Sequence, residues 1–376
     1  MNAAFDVIVL GTGGVGSAAL YHAARDGLHA LGIDRFQPGH DRGSSHGETR
    51  IIRQAYFEHA DYVPLLLAAY KLWAELEHRV NRRLLFPVGL LQVGMASGQV
   101  VSGVLASAQQ HGLAVESLSP NEMVRRFPGF HCPREMCGVF ESTAGYLRVE
   151  DCVRAYVHAA QERGARFHAE TILSWRRART GYEVTTNREV YHTPHLILAP
   201  GAWAPPLLAV FQLPLQVRRK HVYWFETHTK PYLAAEGCPT FLFELPHGVF
   251  YGFPAIDALG VKVAEHTGGV ELRDPLHDPR QFDAADYNRV TEFLQPHLPG
   301  VQPHYSKHSV CFYTMTPDEQ FIVDSPPDYP GLAFAAGLSG HGFKFSSVLG
   351  KALVDLALTG ASPLPIGFLS SRRWGL

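Results

Sequence analysis

Asp6-Val7-Ile8-Val9-Leu10-Gly11-Thr12-Gly13-Gly14-Val15-Gly16 is the stretch whose reading decides the fold, and Ala30-Leu31-Gly32-Ile33-Asp34 completes it. The first five residues are a short apolar run of the kind a parallel strand buries on both faces. Ser17 to Arg25 is Ala-rich and predicts a helix, with Gly27 as its stop. Ala30 to Asp34 predicts a second buried strand ending in a carboxylate. Strand, G-x-G-x-x-G, helix, strand and acid in this order make a dinucleotide-binding unit. Gly11 permits the tight turn, Gly13 lets a pyrophosphate approach the backbone, and Gly16 lets the helix lie close on the strand. Gly14 and Val15 stand where the helix N-terminus offers unpaired N–H groups to phosphate. Asp34 lies 18 residues past Gly16, close to the ~20 of a ribose-binding acid. The motif by itself does not separate FAD from a nicotinamide cofactor.

Outward from this unit, composition sets bounds. The length of 376 residues predicts about two domains. Hydrophobic residues make up 46%, ample for a core, and a net charge of −2 offers no basic field to nucleic acid or anionic membrane. The five cysteines, Cys132, Cys137, Cys152, Cys238 and Cys311, show neither C-x-x-C nor zinc spacing. Their odd number suits free thiols in a reducing compartment. The first apolar run is consumed as a strand rather than a signal peptide, and no run is long enough to span a bilayer. The last four residues, Arg373-Trp374-Gly375-Leu376, are not a peroxisomal address. A cytoplasmic protein is expected.

Along the rest of the chain, Gln37 to Thr49 reads as a polar loop leaving the second strand. It begins the donor-rich run Gly43-Ser44-Ser45-His46-Gly47-Glu48-Thr49-Arg50-Ile51-Ile52-Arg53, at the sheet edge where open α/β folds bind ligands. Helices are expected over 62–79, 100–111, 151–163 and 283–294, and a short one after the capping box Ser119-Pro120-Asn121-Glu122. Strands are expected over 166–172, 182–186 and 195–199, the last running into Pro200-Gly201-Ala202-Trp203. Four strand-like stretches, 216–225, 240–245, 248–253 and 260–266, follow without helices between them and mark an inserted antiparallel domain. Pro296 to Pro303 reads as a connection, 332–338 as a strand, and 343–358 as a closing helix. The expected class is α/β: a discontinuous dinucleotide domain of 1–85, 147–215 and 308–376, with a substrate domain of 86–146 and 216–307.

Some residues stay ambiguous on their own chemistry. Cys311 reads as a buried structural thiol. Lys262 alternates with Val261 and Val263, which suits the solvated face of a strand. Gly340-His341-Gly342 is either a plain turn or an anion site at a helix start. Val222 to Phe225 and Phe241 to Phe243 are strand core or the wall of a pocket for a bulky substrate.

Taken together, these motifs resemble the monomeric sarcosine oxidase / N-methyl-L-tryptophan oxidase family of flavoproteins, essentially end to end. The resemblance rests on Gly11 to Gly16, Gly43 to Arg53, Phe250-Tyr251-Gly252-Phe253-Pro254, the Lys262 and His266 pair, Cys311-Phe312-Tyr313-Thr314, and Gly337 to Phe345. It implies FAD joined through a thioether from Cys311 to the flavin 8α-carbon. It implies that Ser44, Gly201, Gly340, His341, Gly342 and Phe343 line the cofactor, with His46 and Arg50 beside the flavin ring. Arg53 and Lys344 match a pair that clamps the substrate carboxylate, Lys344 also bordering the flavin. Arg supplies a planar fork and Lys a point charge. Lys262 matches the lysine that promotes reaction with oxygen, where a cation stabilises developing negative charge. Tyr251, His266 and Tyr313 match the lining of the substrate cavity. Glu48 and Ser45 depart from the Asp and His expected there, and their effect is expected on packing.

The implied reaction is oxidative demethylation of an N-methyl-L-amino acid by oxygen in a monomer, giving the amino acid, formaldehyde and hydrogen peroxide. N-methyl-L-tryptophan is the leading substrate, with sarcosine or a cyclic imino acid such as L-pipecolate as alternatives. A nicotinamide-dependent dehydrogenase shares only the first 34 residues and is the reading from another class.

Overall fold

The computed structural model describes residues 5–227 and 229–375. Leu376, the last of the C-terminal tetrapeptide, lies outside them. Val7–Leu10 sits inside a six-stranded sheet ordered Ile322–Asp324, Leu332–Ala336, His195–Leu198, Val7–Leu10, Ala30–Asp34, Arg166–Ala169. Its pairings are parallel except the first. Alternation of side chains along each strand divides its two faces. Val7, Val9, Ile197, Ala333 and Ala335 pack under Gly14–Arg25, Tyr62–Val80, Val149–Gln161 and Ser346–Thr359. Ile8, Leu10, Leu196 and Leu198 pack instead against Tyr182, Val184 and Tyr191 of a small antiparallel sheet. Each fully buried aliphatic side chain here contributes about 1.5–3 kcal/mol.

The second large sheet carries the inserted unit. Gln216–Phe225, Val261–Glu265, Gly248–Phe253 and Thr240–Leu245 run antiparallel in that order. Leu90–Met95 then joins in parallel to Thr240–Leu245. Tyr305–Met315 pairs antiparallel with Gln216–Phe225 from Gln216↔Met315 to Phe225↔Tyr305. That long strand crosses the junction expected at 307/308 and holds Cys311 within the second sheet, opposite Lys220. One face of this sheet buries Tyr223, Phe225, Phe241 and Phe243 against Val290, Phe293 and Leu294 of the Ala284–His297 helix. The other face, with Trp224, Leu242, Tyr251 and Cys311, looks toward the dinucleotide unit.

Several boundaries differ from the sequence reading. The first helix begins at Gly14, three residues early, because Ser17 N–H already bonds Gly13 O at 2.9 Å. The polar loop ends in a strand, Thr49–Ile52, held by Gly145–Arg148, and Leu85–Phe86 joins this pair instead of the large sheet. The stretch 166–172 is broken at Glu170, so Arg166–Ala169 ends the parallel sheet and Ile172–Arg177 starts the small one. Pro296 lies in the last turn of the Ala284–His297 helix, beyond the expected stop at 294. The closing helix starts at Ser346 after a 3₁₀ turn over Phe343–Phe345, where Trp73 Nε1 takes the Lys344 carbonyl at 2.9 Å. The capping box at Ser119 and Glu122 forms as read. No helix among the described residues is long and apolar enough to cross a membrane.

Candidate active site

Two adjoining cavities lie between the sheets. The larger, about 320 Å³, is lined by Gly11, Gly13, Gly14, Val15, Asp34, Ser44, Arg50, Gly201, Gly340, Gly342 and Phe343, all named from the sequence. The smaller, about 50 Å³, is lined by Arg50, Arg53, Glu58, Leu242, Tyr251, His266, Tyr313, His341 and Lys344 among others. Arg50, Tyr313, Gly340 and Phe343 border both.

The glycines of the first motif divide by what a side chain would meet. A Cβ on Gly16 would come within 1.7 Å of Gly11 O, so this position is reserved for helix packing. Gly11 has φ +84° and would press on Ala199 O at 2.4 Å. Gly13 is different: a Cβ there would meet only the Ser45 side chain, at 3.4 Å. Its open side faces the large cavity, as a pyrophosphate cradle requires. Asp34 borders the same cavity and accepts the Thr12 N–H at 2.7 Å and the Phe36 N–H at 3.2 Å. Ser45, read as mere packing, accepts the Gly14 N–H at 3.0 Å. The Gly14 N–H is therefore not left unpaired as expected, and it is the open Gly13 cradle with Asp34 on the same cavity wall that fits a bound dinucleotide.

Not every cofactor residue named from the sequence borders the large cavity. His341 and Lys344 turn their side chains to the small one. His341 Nε2 meets Glu319 O at 3.0 Å, which leaves Nδ1 to accept from Tyr56 Oη at 2.5 Å. His46 is buried behind the lining with Nε2 unpartnered. Burial and the Arg50 charge lower its pKa to about 3, so it is neutral at physiological pH. Cys311 is 1% exposed, a free thiol, and shares its strand face with Tyr313, which borders both cavities.

Arg53 and Lys344 converge as read from the sequence, both buried. Arg53 stacks between Tyr56 and Phe57, its Cζ 4.3 and 4.5 Å from the ring centres. It is also ion-paired to Glu58, which the sequence reading missed. The signal was an acid five residues after Arg53, next to Tyr56 and Phe57, which periodicity cannot distinguish from a solvated charge. Burial pushes the Glu58 carboxyl up, but Arg53, His341 and Lys344 outweigh it and bring it to about 2. Arg53 Nε is buried without a partner, an open donor in a cationic cavity. Lys344 Nζ donates to His341 O at 2.8 Å. Burial and Arg53 hold its pKa well below the usual lysine value. His266 is neutral, lowered to about 3 by burial and by His341. Burial raises the pKa of both Tyr251 and Tyr313, so both are protonated phenols.

The solvated-face reading of Lys262 is overturned. It is 2% exposed, and Nζ donates to Gly47 O at 2.6 Å and Thr49 O at 2.9 Å. The two sheets meet at this point, so a strand position that alternation turns outward is covered by the 47–49 turn. Of the two aromatic stretches, Tyr223, Phe225, Phe241 and Phe243 are core, and Leu242 borders the small cavity.

A family model described as FAD dependent oxidoreductase matches residues 6–356. Monomeric sarcosine oxidase of Arthrobacter sp. (strain TE1826) is 38% identical over 98% of this chain and 96% of its own length. N-methyl-L-tryptophan oxidase of Citrobacter koseri is 37% identical over 96% of each chain. Among solved structures, NikD, described as an unusual amino acid oxidase essential for nikkomycin biosynthesis, superposes with a TM-score of 0.85 at 26% identity, covering 98% of both chains. L-proline dehydrogenase from P. horikoshii shares the fold with a TM-score of 0.85 at 18% identity. A Rossmann-like unit with an inserted antiparallel sheet, a glycine cradle open to a large cavity and a match over nearly the whole length agree. The chain belongs to the FAD dependent oxidoreductase family.

Proposed function

We propose that this protein oxidatively demethylates an N-methyl-L-amino acid, giving the free amino acid, formaldehyde and hydrogen peroxide. The observation that carries the reading is the pairing of Arg53, with its buried unpartnered Nε, and Lys344 in a small cavity adjoining the nucleotide cavity. The activities named for the Arthrobacter and Citrobacter relatives support it. When bound in the larger cavity, FAD would supply the two-electron acceptor and the route of those electrons to oxygen.

The chain's own residues do the rest. Arg53 and Lys344 bind the carboxylate and fix the orientation of the N-methyl group; positioning of this kind is worth up to about 7–11 kcal/mol of a barrier. Arg50, Arg53 and Lys344 surround the cavity with positive charge, which disfavours an ammonium and favours the neutral amine that can be oxidised. Tyr251, His266 and Tyr313 enclose the substrate, neutral and partly apolar, and exclude water. Lys262 supplies positive charge for the reaction with oxygen. Cys311 carries the flavin as an 8α-thioether, supported by its burial on the same strand face as Tyr313. Asp34 takes the ribose, and Gly13 and Gly14 the pyrophosphate. The nucleotide unit is assigned 1–85, 147–215 and 308–376, with the Tyr305–Met315 strand shared with the inserted sheet. We assign the protein to the cytoplasm, which its five free cysteines support, and to a monomer, which the name of the Arthrobacter relative supports.

N-methyl-L-tryptophan remains a substrate of this class. The substrate cavity is much the smaller of the two, which favours a compact second reading, sarcosine. A panel of sarcosine, N-methyl-L-tryptophan and L-pipecolate, with peroxide and formaldehyde measured together, tests both. Equal peroxide and formaldehyde from an N-methyl substrate is expected. Peroxide without formaldehyde, from L-pipecolate alone, contradicts demethylation.

A further inference from the structure

A row of four side chains crosses four neighbouring strands beside the 47–49 turn. Phe253, Lys262, Trp224 and Lys307 are successive register partners. Lys262 Nζ lies 4.5 Å from the Phe253 ring centre and 5.4 Å from that of Trp224. Lys307 Nζ lies 4.6 Å from the Trp224 ring centre. The indole therefore stands between two cations, one buried and one with 40% of its side chain exposed.

The turn that receives Lys262 is conformationally demanding. Gly47 and Glu48 both have left-handed backbones, at φ +86° and +69°, an uncommon choice for a residue with a side chain. Two carboxylates hold it there. Glu150, in the first turn of the Val149–Gln161 helix, accepts the N–H of Gly47 at 2.7 Å and of Glu48 at 3.1 Å. The Glu48 carboxylate reaches the other way, accepting from Trp224 Nε1 at 3.0 Å and pairing with Lys307 at 2.7 Å. Residues 47 and 49, on either side of it, present their carbonyls to Lys262.

We propose that Glu48 is a positioning residue for Lys262: it ties the turn to Trp224 and Lys307 and so keeps two carbonyls aimed at the ammonium that the reaction with oxygen uses. The proposal rests on the role given to Lys262 above. It gives a function to a position that looked like packing in the sequence. Electrostatics point the same way. Burial and Arg50 press the Lys262 pKa down, while the Glu150 and Glu48 carboxylates oppose them.

The test uses flavin-loaded Glu48→Ala, Glu48→Asp and Lys307→Met, with Lys262→Met as reference. Each is reduced with dithionite and mixed with oxygen. Reduction by sarcosine is followed separately without oxygen. Acetylation of Lys262 by acetic anhydride, mapped by mass spectrometry, reads its position independently of turnover. Glu48→Ala is expected to reoxidise about tenfold more slowly, with reduction changed less than about twofold. Its Lys262 should be acetylated several-fold faster. Glu48→Asp recovers part of both losses, and Lys307→Met moves both in the same direction by less. If Glu48→Ala and Lys307→Met keep wild-type reoxidation and Lys262 stays unreactive, while Lys262→Met reoxidises slowly, the positioning role is overturned. A Lys262→Met enzyme that reoxidises normally overturns the Lys262 reading itself, and the proposal with it.

Discussion

Arg53 meets two aromatic rings, one carboxylate and one open direction, and the open direction is the one a substrate carboxylate needs. Replacing Arg53 by Met removes a charged hydrogen bond, at a cost of about 1.5–3 kcal/mol of binding. The expected result is a KM for the N-methyl amino acid raised at least about tenfold, seen in steady-state assays. An unchanged KM would place the carboxylate elsewhere. Cys311→Ala removes the proposed thioether sulfur. Its flavin should dissociate in acid or denaturant, and the wild-type flavin is expected to stay on the polypeptide through gel filtration. Retention by the variant would move the attachment to another residue. The place of Arg53 on the wall of the small cavity was legible in the sequence because its motif is local and ordered. Glu58 was not, because an acid five residues from Arg53 reads equally well as a solvated charge; the Lys262 environment was not, because its carbonyl partners come from the distant 47–49 turn and strand alternation alone turns it outward.

The first helix and its loop show what elements add to motifs. Gly11, Gly13 and Gly16 look equivalent in the motif, yet each meets a different neighbour. Gly16→Ala drives a Cβ into Gly11 O and is expected to lower the melting temperature sharply. Gly13→Ala meets only a serine side chain and should fold, with a melting temperature like that of flavin-free wild type, but purify with little flavin. Paired thermal melts and visible spectra separate the two effects; equal losses of stability would show that Gly13 is structural as well. Strand existence was legible wherever apolar runs were bounded by turns. What pairing decides was not. The Thr49–Ile52 strand is polar at its start and exists because Gly145–Arg148 lies beside it. The Tyr305–Met315 strand is fixed by its pairing with Gln216–Phe225 over its full length.

Across the whole molecule, buried neutral histidines set the response to acid. Burial first, and neighbouring positive charge second, lowers His22, His46 and His266 to about 3. His341 falls to about 4 through burial, with Lys344 adding to it. Each is depressed below the unfolded value near 6.5, so below that pH the unfolded chain binds protons that the folded chain refuses. Stability is therefore complete above about 6.5 and is lost as pH falls toward 3–4, by up to about 1.4 kcal/mol per pH unit for each such histidine. Melting temperature measured from pH 7 to pH 4 should fall steeply and monotonically. A flat profile would mean that these imidazoles are protonated or solvated in the folded protein.

The central claim is that a cationic pocket presents an N-methyl amino acid to a resident flavin. The most direct measurement mixes the purified yellow protein with sarcosine and, separately, N-methyl-L-tryptophan in the absence of oxygen, following flavin absorbance and formaldehyde together. Bleaching by at least one of them, with one formaldehyde per flavin and full recovery of colour on admitting air, is the predicted result. A flavin that stays oxidised with every N-methyl amino acid, or a protein that carries no flavin and turns over a nicotinamide cofactor instead, would contradict it.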